Sequence, residues 1–578
     1  MQLISLTANM DSFKPVYFKN QTGINLIVAS QKYPGKSDKG DTTNGVGKSL
    51  LIAIIHFCLG SSQKNDFKKK LPGWIFTIKF KINQQEYIAT RQTDLQNKII
   101  FNNKEMSWKT YKQKLTDLLF ILPEETKHLT FRSLVPFFIR PAKASYVSEN
   151  NPNAINSIYQ IQKTNAFLLG LDVSFSERKY QIKKEKDRIH KLVNDLKNDK
   201  YLKNFFTGDK DIHLAKDELE ENIKKLESDL KSFKIADDYY DIKKQADELK
   251  QSIENIQDDI ELLKIQIQNI NESIKITPDI KREKIEDIYK EASVIIKKSA
   301  LKKLSELEKF YTHLLTNREK RLVDQKYQLI KKRNDLQELV DKKIKELNEK
   351  LKYLNAHHAL DIYTKLSNKL TDAKSKRENL IKYDALFSKY NEQERTLKKE
   401  QIIEAEKTDN YLKDAAIWIS KTNNFFRMLV KRFYPEAAAG ITIYNNEGDN
   451  QTRFDIDAKI EADKSDGIGN VKIFCYDLSL LIKGFGHKID FIFHDSRLLD
   501  GIDPRQVHEL FLILSEYIKS ESKQYILSVN QNQLEEIKQY FDSASDYKKI
   551  IEDNIILNLK DNDPKEKLLG IQVDMDYD

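Results

Sequence analysis

The amino-acid sequence predicts an α/β head formed by N- and C-terminal lobes and split by a long antiparallel α-helical coiled coil. Three observations carry this expectation. Strand-like apolar runs cluster at the two ends of the chain, a strict heptad seam occupies its middle, and the composition is rich in charge and poor in helix breakers. Charged residues make up 32% of the 578, whereas glycine contributes 17 and proline 11. That pairing favours long solvated helices over a loop-rich or disordered chain.

In the N-terminal lobe, Gly23-Ile24-Asn25-Leu26-Ile27-Val28-Ala29 reads as a buried strand, and Ser49 to Leu59 as a buried helix closed by Gly60. Trp74 to Thr90 follows with period-two alternation through Phe76, Ile78, Phe80 and Ile82, which predicts a small meander of strands.

The middle of the chain has a different period. Ile242, Ala246, Leu249, Ile253, Ile256, Ile260, Leu263, Ile267, Ile270 and Ile274 alternate spacings of four and three, the a/d seam of a left-handed coiled coil. A lone helix packed on a globular core would show a wider apolar face with a 3.6-residue period. A weaker seam, Val340, Ile344, Leu347, Leu351 and Leu354, supplies the returning arm. Thr277-Pro278-Asp279 ends the first seam, because proline lacks a donor and clashes with the preceding turn. The less regular segment beyond it, with its Phe310 to Leu315 patch, is placed at the distal end. Phe205-Phe206-Thr207-Gly208-Asp209 interrupts the first arm and reads as an elbow.

The C-terminal lobe offers five candidate strands: Gly440 to Tyr444, Arg453 to Ile460, Phe491 to His494, Tyr525 to Val529 and Ile555 to Leu559. The expected division is 1–170, 171–275, 276–325, 326–409 and 410–578: N-terminal lobe, first arm, distal end, returning arm and C-terminal lobe.

Composition narrows the class further. The 97 Lys and Arg against 88 Asp and Glu leave a formal charge of +9, which permits nucleic-acid contact but equally describes a solvated Lys/Glu surface. Cys58 and Cys475 lie far apart, each in an apolar run and neither in a CxxC pair, so a reducing cytoplasm is expected and a disulfide framework is not. No basic-then-apolar leader opens the chain and no stretch of 18 apolar residues occurs, so no membrane partner is expected.

The chemistry starts at Asn44-Gly45-Val46-Gly47-Lys48-Ser49, between a strand and a helix. In that setting glycines bring backbone N–H groups close to phosphates, Lys48 supplies charge to the β/γ-phosphates, and the Ser49 hydroxyl is a ligand for Mg²⁺. The expected cofactors are therefore ATP and Mg²⁺ on a P-loop, and the head is expected to be of the ABC ATPase type. The loop departs from GxxxxGK[ST] in that Thr42 stands where the first glycine belongs, with Gly40 two residues too early, and polar residues Ser30 to Asp41 lengthen its entry.

A matching carboxylate comes from Ile489-Asp490-Phe491-Ile492-Phe493-His494-Asp495, an apolar strand ending in Asp495, the expected Mg²⁺-organising Walker B residue. Ser496 stands where a water-polarising glutamate is usual, and serine is a poor general base at neutral pH. Asp500 or Asp503 is then the candidate base, or hydrolysis is slow and ATP binding is the main switch. Lys464-Ser465-Asp466-Gly467 precedes an apolar helix, so Ser465 and Gly467 are candidates for the signature that binds ATP held by a second head; an ordinary Ser/Gly turn is the competing reading. Asn530 and Gln531 follow a strand where a switch histidine is expected. Arg132 and Arg140 are candidates for phosphate or DNA contact, with salt bridging as the alternative for each.

These residues carry a resemblance. The loop Asn44 to Ser49, the central coil, Lys464 to Gly467, Phe474-Cys475-Tyr476-Asp477-Leu478, His494-Asp495-Ser496 through Asp500-Gly501-Ile502-Asp503, and Lys567-Leu568-Leu569-Gly570-Ile571 resemble SMC/Rad50-like proteins with a DUF2326-type C-terminal domain. Such proteins are bacterial ATPases of ABC three-component and Lamassu-like anti-phage systems. The resemblance implies a dimeric head that closes on ATP, engages DNA ends or foreign duplex, and controls a separately encoded effector such as a nuclease with a small accessory subunit. A Rad50/RecN-type repair or recombination ATPase is the alternative, and a coiled-coil scaffold with a degenerate head is a third reading that intact Lys48, Ser49 and Asp495 oppose. No CxxC marks the coil tip, so a zinc hook is not expected.

Overall fold

The computed structural model describes residues 1–19, 22–30, 45–124, 128–198, 212–231, 240–275, 298–353, 357–461, 466–561 and 563–573. The chain divides into two compact units, Met1–Arg188 with Glu394–Asp578, and Ile189–Gln393.

The first unit is built on two large sheets. One is antiparallel and six-stranded, in the order β2-β1-β4-β5-β6-β7, from β1 (Gln2–Ala8), β2 (Val16–Tyr17), β4 (Ile75–Ile82), β5 (Gln85–Gln92), β6 (Lys98–Phe101) and β7 (Lys104–Ser107). Phe76, Ile78, Phe80 and Ile82 of β4 are all buried, as period-two alternation requires of a strand with one face on a core. The other sheet is parallel, in the order β10-β11-β3-β12, from β3 (Gly23–Ser30), β10 (Phe491–His494), β11 (Gln524–Asn530) and β12 (Ile555–Lys560). Three of its strands come from the C-terminal part of the chain. The fourth, β3, lies between β11 and β12, with Leu26 opposite Leu527 on one side and Ile555 on the other.

A strand covered on both faces carries no polar alternation, and from Ile24 to Ser30 β3 is buried throughout. All five C-terminal strands read from the sequence are present, the first two as the antiparallel pair β8 (Ala439–Asn445) and β9 (Phe454–Ile460). The helix Lys48–Cys58 follows β3 in the chain and is apolar nearly all round, as a helix enclosed by a core must be. Its C-terminal end is closed at Gly60, at φ +97°, and by buried Arg91, whose Nη1 donates to the Phe57 carbonyl at 2.6 Å and the Ser61 carbonyl at 2.9 Å. A guanidinium there complements the partial negative charge of the helix end.

In the second unit, helix Tyr240–Lys275 packs along helix Lys298–Tyr353. Ala246, Leu249, Ile253, Ile256 and Ile260 meet Leu336, Val340, Ile344 and Leu347. The pair is antiparallel by chain length alone. A parallel pairing centred on Ile253 and Val340 would separate Lys275 from Lys298 by roughly 95 Å at 1.5 Å per residue. The chain between them spans at most about 80 Å fully extended. Residues 298–325, read from the sequence as a distal end, belong to this helix, which contains neither glycine nor proline. Leu354, Thr277-Pro278-Asp279 and Phe205 to Asp209 lie outside the described residues.

A second apolar cluster joins Ile223, Leu226 and Leu230 of helix Ile212–Lys231 to Tyr363, Leu370 and Ala373 of helix His357–Phe433. The two clusters are bonded to each other. Tyr363 Oη donates to Glu254 at 2.9 Å, Ser367 Oγ to Gln257 at 3.0 Å, and Gln257 Nε2 to Asn368 at 3.0 Å. Residue numbers rise together along these contacts, so Tyr240–Lys275 runs parallel to the start of His357–Phe433. The helical unit is thus doubled back on itself, where the sequence suggested two arms, the first interrupted by an elbow.

Cysteine pairs at Ile253 and Val340, and at Glu254 and Tyr363, are expected to crosslink within one molecule, with yields independent of protein concentration. Links found only between molecules, by mass spectrometry of mixed isotope-labelled protein, would contradict the fold. Ile253→Ala is expected to cost about 2–4 kcal/mol in the denaturation of this unit.

Candidate functional site

Two turns of backbone from opposite ends of the sequence meet at the C-terminal edge of the parallel sheet. The first is the glycine-rich entry to helix Lys48–Cys58. Gly47 is its N-cap at φ +108° and offers no side chain to the first turn, whose leading N–H groups have no carbonyl partner within the helix. The position admits nothing larger, since a Cβ on Gly47 would lie 2.5 Å from Leu568 Cβ. This turn has the geometry and partial positive charge of an anion site.

The second turn follows β10, where Asp495 is 2% exposed and surrounded by donors. Ser49 Oγ donates to its Oδ2 at 2.6 Å, and Ser528 Oγ and Ser496 Oγ donate to Oδ1 at 3.0 and 3.1 Å. Its own N–H donates to Tyr146 Oη at 2.7 Å. Lys48 Nζ donates to Asn530 Oδ1 at the end of β11. Burial lowers the Lys48 ammonium from its ordinary 10.5 to about 8, against the opposing pull of Asp495 and Asp500. Burial and the neighbouring Asp495 raise the Asp500 carboxyl above its ordinary range.

Gly45, Val46, Gly47, Lys48, Ser49, Asp495, Ser496, Arg497, Asp500 and Asn530 line one cleft of about 320 Å³. Asn44, expected at this site, and Ser465, expected to meet ATP held by a second head, lie outside the described residues. Gly467 is buried beside the second turn rather than in the cleft, and a Cβ there would lie 2.3 Å from the Gly501 carbonyl oxygen. Three residues later Asn470 Nδ2 donates to the Asp500 carbonyl at 2.8 Å, tying the start of helix Asp466–Lys483 to the wall that carries Asp500.

Asp503 does not line the cleft: it is the N-cap of helix Pro504–Ser520, accepting from Arg505 N–H at 2.9 Å and Arg505 Nε at 3.1 Å. The Asp-Pro step carried that signal in the sequence, since proline suits the first helical position. Ser528 had a signal too, as the one serine inside the apolar run of β11. Tyr146 had none.

Arg132 is exposed, beside a separate cavity of about 1510 Å³ that Lys109, Lys112 and Arg178 also line. Arg140, read as a phosphate or DNA contact, is instead 1% exposed and committed to the interior. Its Nε and Nη2 grip Asp477 at 2.6 and 2.7 Å, and its remaining donors reach the carbonyls of Ser145, Ser148 and Glu149. Asp477 also holds His494 Nε2 at 2.9 Å, and His494 Nδ1 lies 2.8 Å from Tyr525 Oη. The bidentate pair therefore fixes β10 immediately before Asp495. Arg140→Ala would leave the buried Asp477 without its bidentate guanidinium. It is expected to lower stability by about 3–5 kcal/mol in a denaturant titration, a loss that an exposed phosphate-binding arginine would not produce.

Residues 429–573 match the family described as "Uncharacterised protein conserved in bacteria (DUF2326)". Over 556 residues the chain is 23% identical to "Uncharacterized protein YydD" of Bacillus subtilis (strain 168), covering 90% of this chain and 91% of that protein. Among solved structures it is similar to the Smc head domain with a coiled coil and joint derived from Pyrococcus yayanosii. That match has 15% identity and a TM-score of 0.34, and covers 96% of this chain and 99% of the other. No helix among the described residues is long and apolar enough to cross a membrane. The chain thus carries a DUF2326 domain over residues 429–573, which supplies β10, β11 and β12 but not β3.

Proposed function

We propose that the protein is an SMC/Rad50-like ABC-class ATPase that binds ATP with Mg²⁺ in the cleft between the Gly45–Ser49 turn and Asp495. One observation carries this reading: Lys48 and Ser49, on the first turn of a glycine-entered helix, converge with Asp495 at the end of a neighbouring parallel strand. The residues fit the cation. Mg²⁺ prefers hard oxygen ligands and is usually held by one or two protein groups together with phosphate and water. The Ser49 hydroxyl and Asp495 carboxylate form such a pair, and the bound ion would neutralise charge on the transferring phosphoryl group.

The chain's own groups have separable tasks. The first-turn N–H groups and Lys48 hold the phosphates, Ser528 and Ser496 orient Asp495, and Tyr146 fixes its backbone. Asp500 is the proposed base: it lines the cleft, and burial beside Asp495 raises its basicity. Asp503, already bonded to Arg505, is left to its helix cap.

In this reading the head closes with a second copy of the chain through shared ATP and engages DNA, and its state controls a separately encoded effector in anti-phage or anti-plasmid defence. These partners rest on the resemblance of the motifs alone. A cytoplasmic location goes with them.

Lys48→Ala is expected to abolish tight binding of labelled ATP at equilibrium, and wild-type affinity in that variant would remove the assignment of the loop. In steady-state turnover, Asp495→Ala should lose Mg²⁺-dependent hydrolysis and Ser496→Ala should lose much less. Asp500→Asn should slow turnover by about 10²–10⁴-fold while retaining ATP binding. Asp503→Asn should leave turnover close to wild type. Equal losses for Asp500→Asn and Asp503→Asn, or a Ser496→Ala protein as inactive as Asp495→Ala, would overturn this division of roles.

A further inference from the structure

The end of the DUF2326 domain touches the glycine-rich loop, and nothing in the roles above uses that contact. After β12 the chain turns at Pro564–Glu566, capped by Asp563, and Leu568 then lies against the loop. Leu568 N–H donates to the Val46 carbonyl at 3.0 Å, and the Leu568 carbonyl accepts from Lys14 N–H at 2.9 Å. Ser12 Oγ donates to the Leu569 carbonyl at 2.8 Å, and Lys14 Nζ donates to the Glu566 carbonyl at 2.8 Å. Leu568 is wholly buried, with its Cβ against Gly47.

The physical need for this contact follows from the loop itself. A turn that presents N–H groups to an anion directs carbonyls elsewhere, and a buried carbonyl must find a donor. Val46 is wholly buried, and its carbonyl finds the Leu568 N–H. The apolar side chain meanwhile fills the space that the missing Cβ of Gly47 leaves, so the loop is bonded through one residue and packed through the next.

We propose that the segment Asp563–Gly570 is a positioning element of the cleft, holding the glycine-rich loop in its ligand-ready conformation by way of Leu568. The ligand rests on the ATP reading above; the loop contact does not. Segment and loop are therefore one structure, and displacing the segment loosens the loop without touching Lys48, Ser49 or Asp495.

Gly570 gives a means of displacing it. At φ +66°, with a Cβ position 2.1 Å from the Ser12 carbonyl oxygen, it admits no side chain. In the full-length protein without nucleotide, Gly570→Ala is expected to speed amide exchange about tenfold in peptides covering residues 45–58, with β4 and β5 unchanged. It is also expected to weaken Mg²⁺-ATP binding about tenfold, the scale of one or two lost hydrogen bonds. Should Gly570→Ala fail to fold, Ser12→Ala removes only the Leu569 contact and is expected to shift both readings in the same direction by about threefold.

Unchanged exchange in residues 45–58 of a folded variant overturns the proposal, and so does faster exchange with unaltered ATP affinity. Faster exchange in a protein whose wild type binds no nucleotide supports the loop contact and sinks the ATP reading instead, so the two failures are distinguishable.

Discussion

The pairing of β3 with β11 and β12 is the constraint on which the head depends. β3 is buried over almost its whole length, so its N–H and C=O groups have no water to turn to and must be met on both edges by other strands. Those strands lie some 500 residues further along the chain. The sheet is complete only when the two ends of the chain meet. The closure entropy of so long a loop grows only slowly with its length, which is why an insertion of this size is tolerable.

The same pairing creates the cleft. Parallel strands in register finish at one edge of the sheet, and the glycine-rich entry to helix Lys48–Cys58 gathers there with the turns that leave β10 and β11. Ser49, Asp495 and the β11 residues Ser528 and Asn530 thus become neighbours although they come from three segments that are far apart in the sequence. The crossing of a strand edge with a helix N-terminus is the usual place for an anionic ligand in such sheets. The Arg140–Asp477–His494 network sits just behind, fixing the strand from which Asp495 emerges. A buried ion pair adds little net stability against an apolar substitute, so its position beneath the cleft is its more informative feature.

Much of this was legible in the residues. The apolar run of β3, the alternation of β4 and the 4-3 spacing of the coil are each the direct imprint of a burial period, and each appeared as read. β1 escaped because a register shift between Leu3 and Ser5 breaks its alternation, leaving the buried Leu3 and Leu6 three residues apart. For Arg140 the salt-bridging alternative holds, but its burial was not legible because its partner is 337 positions away, and an arginine that ends an apolar run looks the same whether it faces solvent or a buried aspartate. The doubling back of the helical unit was hidden for a related reason: heptads specify a seam, and polar contacts such as Tyr363 to Glu254 between neighbouring pairs leave no period.

The central claim is that one Mg²⁺-nucleotide is held jointly by Ser49 from the N-terminal part of the chain and Asp495 from the DUF2326 domain. The most direct test is the metal dependence of ATP binding in Asp495→Cys, because a thiolate ligand disfavours Mg²⁺ and favours softer ions. Wild-type protein should bind ATP with Mg²⁺ or Mn²⁺, and the variant should lose binding with Mg²⁺ and recover it with Cd²⁺. ATP binding by Asp495→Cys that is the same with every metal would contradict the account.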